Sequence, residues 1–137
     1  MSSKCLNTIY IIGNVGSKFH TGKTKSNTTV FDFDIATNRS WLPKNATERR
    51  EGTSWHKIIT FSHLAELCQQ NITKGTRVFV LGRLEYRTCQ NELGIETKKI
   101  RIIAKEVIFL KNRKQKITES FENPNFTNFN TKEIYVR

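Results

Sequence analysis

SHLAELCQQN, residues 62–71, is the single stretch of this chain whose apolar side chains (Leu64, Leu67 and Cys68) recur at helical spacing. It interrupts a chain otherwise patterned for strands. Before it come LNTIYIIG (6–13), TVFDFDIAT (29–37) and WHKIITF (55–61); after it come TRVFVLGRLEY (76–86) and IETKKIRIIAKEVIFL (95–110). In the second segment Phe31, Phe33 and Ile35 fall on one face, while Asp32 and Asp34 fall on the other, as a half-buried strand requires. Ser62 is placed to cap the helix. The order is therefore β-β-β-α-β-β. A five-stranded Greek-key barrel with one short helix between strands 3 and 4 has this order, which makes the all-β OB-fold the expected architecture.

Two polar stretches separate the first three strands. Residues 17–28 carry Lys18, His20, Lys23 and Lys25 and read as an exposed loop. Residues 38–53 carry Arg39, Lys44, Arg49, Arg50, Pro43 and Gly52 and read as a long hairpin loop with Trp41 at its start. Loops of that length inside a compact domain are usually functional or disordered, and an exposed Trp in a basic loop leans toward functional. Beyond residue 110 strand patterning stops. KNRKQK is a cationic run and NPNFTNFN is low in complexity, so the chain divides into a folded domain over residues 1–110 and a basic, Asn/Phe-rich disordered tail over 111–137.

The chain of 137 residues has 23 Lys and Arg against 12 Asp and Glu, a formal net charge of +11. The first 110 residues hold 17 of those cations and nine of the acids, so the folded part has a positive field of its own. Such a field points to an anionic partner, nucleic acid before membrane. No apolar run approaches a membrane span, and the first residues, MSSKCLN, read as neither a secretory nor an organellar leader. Cys5, Cys68 and Cys89 are too widely spaced for a zinc site or a disulfide framework and read as reduced thiols. His20, His56 and His63 lack metal-ligand spacing, and no glycine-rich phosphate loop precedes a helix. An enzyme is not expected, and no cofactor is implied.

What the composition leaves is a surface of flat rings and cations. Period two sends Trp55, Lys57, Ile59 and Phe61 to one face of the third strand and His56, Ile58 and Thr60 to the other. Arg83 and Arg87 share a face of the fourth strand, and Lys74 follows the helix. Cations take phosphates, and exposed rings stack on unpaired bases whose π-faces a duplex would hide. Phe31 and Phe33 read as core, Trp41 as the most exposed aromatic, and Phe79 as buried or at an interface.

The stretches NTIYIIGNVG, FDIATNRSW, TSWHKIITF, HLAEL, ITKGTRVFVLGRLEYR and IIAKEVIFL resemble, in order and spacing, the bacterial and mitochondrial single-stranded DNA-binding proteins over roughly residues 4–110. The resemblance implies an OB-fold that assembles as a homotetramer and binds single-stranded DNA in replication, recombination and repair. By position it assigns Trp41, Trp55 and Phe61 to base stacking, Lys57 and Lys74 to DNA contact, and His56 and Phe79 to subunit contacts. With the cationic positions read above (Arg39, Lys44, Arg83 and Arg87) these are the expected site. The chain also departs from the family. Cys89 stands where bacterial members commonly carry a Trp, leaving that platform lost or replaced by Tyr86. The first loop reads SKFHTG without the usual Asp-Pro, and His63 stands where a lysine is frequent. The end, NTKEIYVR, lacks the acidic tip that recruits replication and repair proteins. The expected compartment is the bacterial cytoplasm, at the nucleoid, with the mitochondrial matrix as the alternative. A second functional expectation is a replication-restart adaptor acting mainly through protein partners, with Phe121, Phe126 and Phe129 as a docking segment.

Overall fold

A computed structural model describes residues 4–111 and the backbone of a two-residue strand, Tyr135–Val136. The expected disordered tail, with its three phenylalanines, otherwise lies outside the described residues. The elements are β1 (Ile9–Lys23), β2 (Thr29–Trp41), β3 (Arg50–Phe61), α1 (Ser62–Asn71), β4 (Arg77–Gln90), β5 (Glu96–Leu110) and β6 (Tyr135–Val136). The sheet order is β3-β2-β1-β4-β5-β6, and a parallel pairing of β3 with β5 closes the first five strands into a barrel. This is the five-stranded, one-helix OB-fold that the element order requires.

Alternation builds the interior. Val15 of β1, Phe33 and Ile35 of β2, Ile58 of β3, Val78 and Val80 of β4, and Ile102 and Val107 of β5 all point inward and are buried. α1 lays Ala65 and Cys68 against that core. Among the described residues Thr60 is the one buried polar side chain, and it is satisfied: its Oγ1 donates to the Phe31 carbonyl at 2.7 Å. A long strand can serve both halves of a closed barrel only if it bends. β4 shifts register between Leu81 and Gly82, and a Cβ on Gly82 would sit 2.3 Å from the Ile103 carbonyl oxygen, so only glycine passes there.

Three local features differ from the sequence reading. Residues 17–23 are not loop: β1 shifts register between Val15 and Phe19 and runs on to Lys23, pairing His20 with Asp32 and Thr21 with Phe31. The turn is confined to residues 24–28, with Asn27 at φ 65°. Likewise β2 and β3 stay paired out to Trp41 and Arg50, so the long basic loop shrinks to residues 42–49 at the end of a projecting ribbon. Finally, Ser62 does not cap the helix. Phe61 occupies the cap position in extended backbone, no side chain caps α1, and Ser62 itself takes φ 58°. The strand runs directly into the helix and leaves no free residue to turn a hydroxyl back on it.

Cys68 gives a simple check on helix docking. Burial pushes its thiol up to about 12, with a hydrogen bond to Thr60 acting in the opposite direction. At neutral pH it is therefore a protonated, shielded thiol, whereas Cys5 is exposed. Iodoacetamide is expected to label Cys5 in the native protein and Cys68 only on unfolding. Rapid native labelling of Cys68 would show that α1 does not stay seated.

Candidate nucleic-acid interface

The register of β2 against β3 fixes one outer face. Trp55 lies opposite Ala36, Lys57 opposite Asp34, Ile59 opposite Asp32, and Phe61 opposite Val30. Directly opposed residues share a face, so indole, ammonium and two carboxylates stand together outside the barrel. Trp55 is 61% exposed. Its ring rests on Gly16, where an added Cβ would lie 2.6 Å from the indole Cζ3. The indole thus meets backbone at the Cζ3 end of its benzo ring and is otherwise largely open to solvent. Lys57 Nζ lies 3.5 Å from Asp32 Oδ1, which also meets His20 Nδ1 at 3.0 Å. Phe61, at the strand end, is only half-buried, while Ile59 is buried against β5.

Lys74 is exposed in the turn between α1 and β4. Gly75, at φ 89°, donates its N–H to the Val15 carbonyl at 2.8 Å, and Val15 donates to the Thr76 carbonyl at 2.8 Å. These bonds tie the turn to the residue beside Gly16, so the Lys74 turn and the Trp55 seat share one anchor.

The projecting ribbon carries the second indole. Trp41 is 39% exposed, with the Arg39 guanidinium carbon 5.2 Å from its ring centroid, a cation–π contact. Arg39 also donates to Ser54 Oγ at 3.0 Å, and Arg49 Nε donates to Ser40 Oγ at 3.0 Å. Lys44 is exposed in the connecting turn. By alternation Trp41 and Arg39 lie on the opposite side of the ribbon from Trp55 and Lys57. The two indoles therefore do not form one flat platform; a strand touching both must pass around the ribbon.

On the β4–β5 hairpin Arg83 and Arg87 are exposed. Arg83 Nη1 lies 3.4 Å from Glu85 Oε2, and Arg101 Nε donates to Glu85 Oε1 at 2.7 Å. Those guanidiniums, Arg101 foremost, hold the Glu85 carboxyl below the usual range. Arg87 has no ion pair among the described residues and lies opposite Lys99, which adds a further cation. Tyr86 is 63% exposed but alternates to the other face from Arg87 and Cys89, so it does not stand in for an aromatic at position 89.

The two residues assigned to subunit contacts separate. His56 Nε2 hydrogen-bonds Thr37 Oγ1 at 2.8 Å across the ribbon. Phe79 is half-buried on the outer face of β4, 6.1 Å from the exposed ring of Tyr10. Ile12 lies opposite Phe79, Leu81 opposite Tyr10, and Ile108 on the far side of Phe79, making a continuous apolar outer face. The sequence reading took only Phe79 from this patch. The signal for the rest was in IYII, which has no polar residue on either face. It also passed over His20, Lys18, Asp32 and Asp34 as neighbours of Trp55. Among the described residues no group of His, Cys, Asp and Glu could hold a metal ion, and no helix is long and apolar enough to cross a membrane.

Comparison with known proteins agrees with this geometry. The model of the Single-strand binding protein family matches residues 6–110. Among solved structures, the Plasmodium falciparum SSB in complex with ssDNA is similar at 30% identity and TM-score 0.73, covering 81% of this chain and all of that one. The wild-type single-stranded DNA binding protein from Thermus aquaticus is similar at 25% identity and TM-score 0.67; 80% of this chain matches 52% of that one. A deletion mutant of the Thermus protein, at 23% identity and TM-score 0.68, shares the fold. With the barrel, the ribbon and the exposed indole in place, the match over residues 6–110 settles the assignment: the chain belongs to the single-strand binding protein family.

Proposed function

We propose that this protein binds and protects single-stranded DNA during replication, recombination and repair. It does so by stacking bases on exposed rings and neutralising phosphates, and it works as a homotetramer. The family is one of DNA-binding proteins without enzymatic activity, and the role is binding alone. One observation carries the reading: Trp55 is an indole that meets the barrel at Gly16 and is 61% exposed, two residues from Lys57. A ring held open in this way offers a base one side of a stack, worth about 1–3 kcal/mol per base and indifferent to sequence. The compartment we infer is the bacterial cytoplasm, with the mitochondrial matrix as the alternative.

The tetramer reading draws support from the outer apolar face. Tyr10 and Ile12 are 67% and 49% exposed beside Phe79, and contiguous apolar surface of this kind marks association sites. A solution mass of four chains is expected. A mass of two chains would favour the adaptor function instead.

Titration of oligo-dT over a salt series tests the binding mode. Affinity should fall as salt rises, because captured phosphates release counterions. Asp32→Asn tests which group competes with the phosphate. Lys57 must leave Asp32 to take a phosphate oxygen, so this substitution is expected to tighten binding at low salt by up to about fivefold, the scale of an exposed ion pair. Weaker binding would show instead that Asp32 orients Lys57 for its contact.

A further inference from the structure

We propose that the depression beside Trp55 reads the edge of the base stacked there. Asp34 accepts a hydrogen bond from an exocyclic amino group, so that cytosine is favoured over thymine at this one position. The inference rests on the single-strand reading above and refines it at a single subsite.

Four residues line the depression: Ser17, Lys18, Asp34 and Trp55. Asp34 lies directly opposite Lys57 in the strand register, yet Lys57 reaches Asp32 instead. Asp34 is left without a hydrogen bond or ion pair among the described residues, half-buried at the foot of an open indole. Its neighbour Asp32, on the same face, has both His20 and Lys57. A carboxylate standing alone on a phosphate-binding face repels the ligand's backbone, so a base-edge contact is the favourable use left to it.

The chemistry separates the pyrimidines. Trp55 is 61% exposed and itself lines the depression with Asp34, so a base stacked on the indole brings its edge beside that carboxylate. Cytosine presents its N4 amino group there, a donor that a carboxylate accepts. Thymine replaces that amino group with O4, whose lone pairs face those of the carboxylate, and keeps a single donor, N3–H, where cytosine has an acceptor. Adenine, through N6, and guanine, through N1 and N2, are also donors. The Lys18 ammonium at the rim can serve a phosphate or the base O2.

The test uses oligo-dC and oligo-dT of equal length at pH 8 and fixed salt, against wild type, Asp34→Asn and Asp32→Asn. An amide at position 34 can donate or accept and so cannot discriminate. The ratio of dC to dT affinity is expected to fall about fivefold or more in Asp34→Asn, the lower end of what one base-edge contact contributes. Asp32→Asn makes the same charge change two residues away; it should strengthen both oligomers equally and keep the wild-type ratio. Asp34→Ser should repeat the loss, which separates base reading from any effect of the amide. If both oligomers bind and their ratio is the same in wild type and Asp34→Asn, the inference fails while the single-strand reading stands. If wild type binds neither oligomer, both fail.

Discussion

Trp55→Ala is expected to weaken oligo-dT binding by about five- to a hundredfold, the range that corresponds to loss of one stacked base, while the domain stays folded. The indole is 61% exposed and touches the barrel through Gly16, so truncation removes a binding face and leaves the interior intact. The stability cost should be about 1 kcal/mol or less, as for other surface changes. Denaturation midpoint and affinity, measured on the same preparation, separate the two effects. A large fall in stability would mean that the ring is structural.

Phe33→Ala is the opposite case, with an expected loss of about 3–5 kcal/mol of stability. Phe33 is fully buried, 5.8 Å from the Phe31 ring, and Phe31 in turn stacks on Phe19 at 6.2 Å. It sits opposite Phe19 just past the register shift in β1, where β1, β2 and β3 are stitched together by Phe19, Phe33 and Ile58. An alanine there leaves a cavity that three paired strands cannot collapse to fill. Since a domain of this kind holds about 5–15 kcal/mol in total, the substitution consumes much of it. Urea unfolding should show a large shift in midpoint at unchanged slope; a shift as small as that of Trp55→Ala would contradict the packing described. The two aromatics lie on adjacent strands, one facing inward and one outward, and their substitutions should give opposite phenotypes.

That inward–outward contrast was legible in the sequence, because alternation is a local property. FDFDI sends its rings and Ile35 one way and its carboxylates the other, and SWHKI does the same for Trp55 and Lys57. The single helix fixed the barrel order for the same reason. What was not legible depends on pairing between strands. The extension of β1 to Lys23 is hidden by the register shift after Val15, which breaks the period, and by a hairpin tip with polar residues on both faces. The position of Trp41 on the other side of the ribbon from Trp55 follows from the pairing of Ala36 with Trp55 and Trp41 with Arg50, which neither segment contains alone. Asp32 and Asp34 read as solvated strand carboxylates, and only the β2–β3 register brings them beside Lys57.

Stacking of a base on Trp55 can be read directly from the emission of that indole. The chain has two tryptophans, so Trp41→Phe leaves Trp55 as the sole indole reporter. Titrated with oligo-dT and, separately, with a duplex of equal length, this variant should lose emission in proportion to bound single strand and show little change with duplex. Emission that stays constant while oligo-dT binds, or quenching by duplex at equal affinity, would contradict stacking on Trp55.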